Sequence, residues 1–212
     1  MSTLTWETSA VHQCLLEHHN WVAQLSIGRY GGLIACPPVL TFTPKSRSTH
    51  GKSVYGHKAL RGDGKSNVRL ENLVWVRIFA AMATALERSL PFFVWFRSSS
   101  ISPLLFDEFK ALSLSGDRIC TTEVVVDTDA GARLPFVILG HKFFGLNGLS
   151  GPGIRWSLIC NRIAHHMFPD SCRHVIAQRL QSSKVIIGAT SAHPLPAHLP
   201  PLLPVHLPPS TL

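Results

Sequence analysis

The sequence predicts an α+β protein in which a small sheet packs on helices within a single domain, followed by a disordered proline-rich tail. Residues 70–90, LENLVWVRIFAAMATALERSL, are rich in Ala and Leu and apolar almost all round, which is typical of a buried helix. Residues 119–127 and 133–139 are β-rich and separated by a short turn, which predicts a hairpin. The helical and extended segments do not alternate regularly, which favours α+β over α/β.

The first third of the chain predicts one helix and one short extended run. Residues 6–25 carry an apolar stripe typical of a helix, and the sequence RYGG at 29–32 ends it. Residues 33–36 predict a short extended run. The proline pair at 37–38 places this run at a sheet edge or outside the sheet, because proline cannot donate to a strand ladder.

The middle of the chain predicts a buried helix, a buried strand and a short helix. After the 70–90 helix, the uninterrupted apolar run at 92–96 indicates a strand covered on both faces. Residues 102–114 predict a short helix with Ser102 as its N-cap and Pro103 in its first turn.

The last folded elements are two helices. We expect them over about 154–167 and 170–182, separated at Pro169, which cannot continue a helix.

A chain of 212 residues is long enough for one domain with a tail. We expect the domain over 1–188 and the tail over 189–212. From Gly188 onward the chain holds seven prolines and no Asp, Glu, Lys or Arg, which is typical of an extended segment outside a core.

Positive charge is concentrated in residues 45–69, named here the basic segment. The whole chain has 20 Lys and Arg against 12 Asp and Glu, a net charge of +8. The basic segment contains seven cations and one acid, Asp63, so its net charge is seven minus one, or +6. A loop of this kind binds phosphates by charge, and its one tyrosine adds a stacking surface. We therefore expect the basic segment to bind nucleic acid, RNA in particular. The alternative is an ordinary solvated loop. The residues concerned are Lys45, Arg47, Lys52, Tyr55, Lys58, Arg61, Lys65 and Arg69.

Two Gly-Lys-Ser triplets, at 51–53 and 64–66, do not form a phosphate-binding loop. Such a loop needs a glycine five positions ahead of the triplet, where this chain has Ser46 and Ala59. We therefore expect no nucleotide triphosphatase.

The sequence favours an intracellular protein, cytoplasmic or nuclear. The N-terminus lacks a basic start followed by an uninterrupted apolar run, so we expect no secretory signal. The chain contains no uninterrupted run of about 18 apolar residues, so we expect no transmembrane segment. Five scattered cysteines, an odd number, do not form a secreted disulfide framework.

One cluster of cysteine and histidine is a candidate zinc site. Cys160, His165, Cys172 and His174 are four ligands of the type that zinc prefers. The alternative is chance grouping in a chain with 12 histidines, with buried thiols and exposed or satisfied imidazoles. We expect no cofactor, and zinc is the alternative.

One acidic pair is a candidate for catalysis. Asp127 and Asp129 follow an apolar strand, and such a pair holds a divalent cation against a diphosphate in nucleotide-sugar transferases. A hairpin turn rich in Asp and Gly explains the same residues, and we expect no enzyme.

The tail contains two candidate ligands for protein partners. Ser210 and Leu212 match the C-terminal pattern that PDZ domains bind, and the sequence PPLLP suits a polyproline-binding groove.

A short motif resembles one in a viral family. Leu134, Pro135 and Ile138, followed after thirteen residues by Pro152, look like the minimal F-box-like motif of polerovirus RNA-silencing suppressors. The resemblance covers 19 of 212 residues and implies a viral accessory protein that recruits a host ubiquitin-ligase adaptor through these four positions. The alternative is that residues 134–139 are a buried strand.

These observations favour a non-enzymatic, basic accessory protein that binds RNA through the basic segment. The second hypothesis is an adaptor, or a silencing suppressor, that acts through residues 134–152 and the C-terminus. The third is a metal-dependent transferase that uses Asp127 and Asp129.

Overall fold

A mixed β-sheet with helices against both faces organises the residues that the structure describes. The structure is a computed structural model and describes residues 2–6, 22–37, 41–43, 47–114, 119–127, 131–141, 154–167 and 170–182. Its strands are β1 (Ser2–Trp6), β2 (Tyr30–Ala35), β3 (Phe92–Arg97), β4 (Ile119–Asp127), β5 (Arg133–His141) and β6 (Ile154–Arg155). Its helices are α1 (which includes residues 22–26), α2 (Arg47–His50), α3 (Gly62–Glu87), α4 (Asp107–Leu114), α5 (Trp156–Met167) and α6 (Asp170–Ser182). The α+β class predicted from the sequence is confirmed.

The sheet combines parallel and antiparallel pairs, and its last pair, β4 with β6, is again parallel. Its strand order is β1-β2-β3-β5-β4-β6, and β1, β2 and β3 run parallel to one another. Parallel neighbours need a crossover connection, and α3 supplies it between β2 and β3. β5 joins β3 antiparallel, and β4 and β5 form an antiparallel pair from Ile119 opposite His141 to Asp127 opposite Arg133. The predicted hairpin is therefore confirmed.

Strand β3 forms the centre of the core, because its side chains alternate between two apolar clusters. Phe92, Val94 and Phe96 pack on the face that α3 covers. Phe93 and Trp95 pack on the opposite face with the buried side of α5. Each of these five side chains is almost completely buried. The prediction of a strand covered on both faces is confirmed.

The N-terminal part differs from the sequence prediction in two places. Trp6 ends strand β1 and does not begin a helix, while residues 7–21 lie outside the described residues. The predicted run at 33–36 begins earlier, at Tyr30, and lies inside the sheet between β1 and β3. Pro37 is compatible with an interior strand, because it follows the last paired residue, Ala35, and therefore removes no hydrogen bond between strands.

The helices differ less from the sequence prediction than the N-terminal strands do. Helix α3 begins at Gly62 rather than near residue 70, because Asp63 suits the positive end of the helix dipole and Val68 is buried against the core. Ser102 is a cap as predicted and accepts a hydrogen bond from the Leu104 backbone, but it caps a 3₁₀ turn (Pro103–Leu105) that precedes α4. Helix α6 lies where the sequence predicts it, and α5 begins two residues later than predicted, at Trp156, because Ile154 and Arg155 pair with β4 as strand β6. The tail, 189–212, lies outside the described residues.

Candidate nucleic-acid interface

The described part of the basic segment is a chain of tight turns between two helices. Backbone hydrogen bonds close successive turns from Ser53 to His50, from Gly56 to Ser53 and from Leu60 to His57. Helix α2 precedes these turns and α3 begins directly after them. The segment is therefore fixed by its own backbone bonds, where the sequence predicted an open loop.

Gly56 fits the turns closely against α3. Its φ of +100° lies in a region that side chains rarely adopt, and a Cβ atom there would approach Cγ1 of Val68 to 2.8 Å. The absence of a side chain thus allows the turn backbone to contact the helix.

A buried polar network fastens the segment to the core. The Glu71 carboxylate on α3 is completely buried, and its Oε2 accepts hydrogen bonds from the backbone N–H of Thr41, from the Thr41 hydroxyl at 2.6 Å and from the Phe42 N–H at 3.3 Å. The Thr41 hydroxyl also lies 2.9 Å from Nε2 of His50. Buried polar groups of this kind are stable only when they are hydrogen-bonded. Here the Glu71 contacts link α3 to residues 41–42, and the His50 contact links Thr41 to the basic segment.

His50 carries the network into the turns. Its ring is completely buried, stacks on Phe42 with centroids 4.3 Å apart, and places Nδ1 2.9 Å from the carbonyl oxygen of Val54. Burial lowers the pKa of His50, while hydrogen bonds to the Val54 and Ser53 backbone act in the opposite direction. His50 is thus part of the scaffold and does not face solvent with the cations.

The sequence interpretation missed this network, although one signal for it was present. Glu71 lies three residues after Val68 and three before Val74, so it occupies the apolar face of α3. A carboxylate at a buried helical position needs partners, which points to a polar cluster.

The cations of the segment whose side chains the structure describes face solvent. Within the described part of the chain, none of these side chains forms an ion pair with a carboxylate, and Asp63, the one acid of the segment, is also exposed. Lys45 lies outside the described residues, and Arg47 is described by its backbone alone. The exposed cations are Lys52, Lys58, Arg61, Lys65 and Arg69.

Three of these cations lie at the beginning of α3. The Arg61 guanidinium donates to the carbonyl oxygens of Leu60 at 3.1 Å and Lys58 at 3.4 Å, which holds it beside the first turn of the helix. Lys65 and Arg69 are four residues apart and therefore share one exposed face of α3. The free N–H groups of the first turn add a partial positive charge at the same end of the helix.

Tyr55 lies among the turns with half of its surface exposed. Its hydroxyl donates to Oδ2 of Asp107 at 3.1 Å, and its ring meets Phe106 edge to face with centroids 5.3 Å apart. Lost contact with water raises the pKa of Tyr55, and the carboxylates of Asp107 and Glu108 act in the same direction. Asp107 has a lowered pKa because Lys110 and Tyr55 hydrogen-bond to its carboxylate.

The described members of the predicted zinc cluster do not share one environment. Cys160 is completely buried in the core between α5 and the sheet, and burial raises the pKa of its thiol to about 12. His165 is exposed, and His174 is exposed with its Nε2 2.9 Å from the Gln178 amide. The Cys172 side chain lies outside the description. No group of three or more potential ligands gathers among the described residues.

One member of the acidic pair, Asp127, lies at the hairpin. Asp127 ends β4 and forms an ion pair with Arg133 at the start of β5, with Oδ1 3.3 Å from Nε. Asp129 lies outside the described residues.

Three of the four residues of the F-box-like pattern belong to strand β5. Pro135 is exposed and Leu134 is half-buried, whereas Ile138 is completely buried in the core between β3 and β4. Pro152 and the tail residues Ser210 and Leu212 lie outside the described residues.

Two further findings concern membrane-spanning helices and similarity to known proteins. Among the described helices, none combines the length and the apolar character needed to cross a membrane. Comparison with protein-family models, with curated proteins and with solved structures gave no match to this chain.

Proposed function

We propose that this protein binds RNA through the basic segment and acts as an accessory protein without catalysing a reaction. The observation that carries the proposal is the set of exposed cations on the turns and on the first part of α3, which no described carboxylate neutralises. Polyanions are the partners that such a surface attracts, because each bound phosphate releases condensed counterions.

The scaffold beneath the cations supports the same conclusion. The turns are closed by backbone hydrogen bonds and tied to the core through His50 and Glu71. A backbone that is ordered before binding loses less conformational entropy when the ligand arrives. The net charge of +8 adds long-range attraction that raises the association rate.

RNA is favoured over duplex DNA because the site combines charge with an exposed aromatic ring. Proteins that recognise RNA mostly use single-stranded regions, where unstacked bases meet aromatic side chains. Tyr55, which is 51% exposed, lies three residues from both Lys52 and Lys58.

The test compares two variants with the same change in charge. The variant Lys52→Ala/Lys58→Ala/Lys65→Ala removes three exposed cations from the segment, and Arg61 is left intact because its guanidinium also holds the turn. The matched control removes three exposed cations elsewhere and also lowers the net charge by three. Its substitutions are Arg29→Ala, Arg88→Ala and Arg155→Ala.

RNA affinity is measured by fluorescence anisotropy at about 0.1 M salt, where each phosphate contact contributes about fivefold on single strands. We expect the segment variant to bind between about 10- and 100-fold more weakly than the wild type. The control should bind close to the wild type. Equal weakening in both variants would mean that the site is not the basic segment, and unchanged binding in the segment variant would remove the proposal.

The adaptor hypothesis predicts a different pattern. Capture of a protein partner through residues 134–152 and the C-terminus would not change in the segment variant, and RNA binding would be absent from the wild type.

A further inference from the structure

We infer that Tyr55 is a stacking platform for one nucleobase and that the segment therefore binds single-stranded rather than double-stranded RNA. The inference rests on the proposed function and names the class of RNA that the site accepts.

The Tyr55 ring is held at its hydroxyl end. The hydroxyl donates to Oδ2 of Asp107 at 3.1 Å and lies 3.5 Å from the Asp107 backbone N–H, which donates to it. Asp107 is itself held by Lys110, whose Nζ lies 2.8 Å from Oδ1. The ring thus has a fixed orientation at the surface.

The ring is also fixed by the core. Phe106, which meets it edge to face, is completely buried and contacts Phe42 and Phe79 with centroids 6.0 Å apart in each pair. Half of the Tyr55 surface nevertheless remains exposed. A rigid aromatic side chain of this kind offers contact area with little entropy left to lose on binding.

Charge around Tyr55 differs between its two ends. Lys52 and Lys58 lie three residues before and after it, a reach of at most about 11 Å of extended chain. Asp107 and Glu108 lie at the hydroxyl end, and the Asp107 charge is compensated by Lys110. Phosphates are therefore attracted to the two lysines that flank Tyr55 in the sequence, and the exposed surface of the ring is left for a base.

This arrangement selects single strands. In a duplex the bases stack on one another and are not free to stack on a side chain, whereas an unpaired base stacks on any aromatic ring. The cations alone would bind duplex and single strand alike by charge.

The experiment uses a labelled single-stranded RNA of about 12 nucleotides and the same strand annealed to its complement. Affinities are measured for the full-length wild type, for Tyr55→Leu and for Tyr55→Phe, with Leu114→Ser as a control at an exposed apolar residue of α4. We expect the wild type to prefer the single strand. Tyr55→Leu should lose about 10-fold or more on the single strand, as truncation of a stacking residue does, with the duplex affinity unchanged. Tyr55→Phe keeps the ring and should stay within about 3-fold of the wild type on both probes.

The outcomes separate the two proposals. If single-strand binding is strong and salt-dependent but insensitive to Tyr55→Leu, stacking at Tyr55 is refuted and the charged interface stands. If Tyr55→Phe binds as weakly as Tyr55→Leu, the hydroxyl contact to Asp107 rather than the ring is what matters, and the platform is refuted. If the wild type binds neither probe, the proposed function itself fails.

Discussion

The Thr41 hydroxyl is the smallest group whose removal tests how the basic segment is held. Thr41→Val replaces the hydroxyl by a methyl group of similar size in a buried position. The substitution removes a hydrogen bond to the buried Glu71 carboxylate, 2.6 Å away, and leaves Nε2 of His50 without its 2.9 Å contact. Hydrogen bonds to charged groups contribute about 1.5–3 kcal/mol, and an unsatisfied buried polar atom costs about 1–3 kcal/mol.

We therefore expect Thr41→Val to lower the free energy of unfolding by about 3 kcal/mol. For a chain of this size, that corresponds to a fall in Tm of about 6–12 °C. Urea unfolding followed by tryptophan fluorescence measures the change, because Trp75 is buried on α3 and meets Phe42 edge to face. Thr84→Val is the matched control, since among the described residues the half-buried Thr84 hydroxyl bonds only the Ala80 carbonyl of its own helix, and it should cost less than about 0.5 kcal/mol.

We expect Thr41→Val to destabilise the turns of the basic segment more than the rest of the fold. Amide hydrogen exchange in the turns around Ser53 and Gly56 should accelerate in Thr41→Val more than in strand β3. A variant with wild-type stability and wild-type exchange in these turns would refute the view that the buried network holds the basic segment.

Two other predictions concern residues on the opposite side of the sheet. Ile138→Ala, at a completely buried position of β5, should lower the free energy of unfolding by about 2–5 kcal/mol. Pro135→Ala, at an exposed position of the same strand, should change it by less than about 0.5 kcal/mol. Equal denaturation midpoints for the two variants would contradict this difference. Burial raises the pKa of the Cys160 thiol to about 12, so the thiol stays protonated at pH 8.5. Peptide mass analysis should therefore find Cys160 unmodified by iodoacetamide at pH 8.5 in the folded protein and modified in urea. Rapid native-state labelling of Cys160 would show that it is not enclosed in the core.

Elements with local signals were predictable from the sequence. The hairpin of β4 and β5 follows from two β-rich runs around a turn, and β3 follows from an apolar run too short for a helix. Helices α5 and α6 are separated by Pro169, whose ring cannot continue a helix. The start of α3 and the position of β2 were not predictable, because each depends on packing between distant parts of the chain.

The same distinction applies to the candidate site. The exposed cations were visible in the sequence because charge density needs no knowledge of the fold. The position of Glu71 on the apolar face of α3 indicates a buried polar cluster, but its partner could not be found from the sequence, since Thr41 and Glu71 are 30 residues apart. The orientation of Tyr55 depends on Asp107, which is 52 residues away. Contacts over such separations leave no periodic pattern in the sequence.

The salt dependence of RNA binding tests the charged interface most directly. The structure exposes five described cations on the basic segment, and single strands give a slope of about −0.7 in log K against log salt for each neutralised phosphate. Anisotropy titrations of the wild type from about 0.05 to 0.3 M salt should therefore give a slope of about −3.5 if all five make contact. An affinity that stays constant over this range would show that these cations do not bind phosphates.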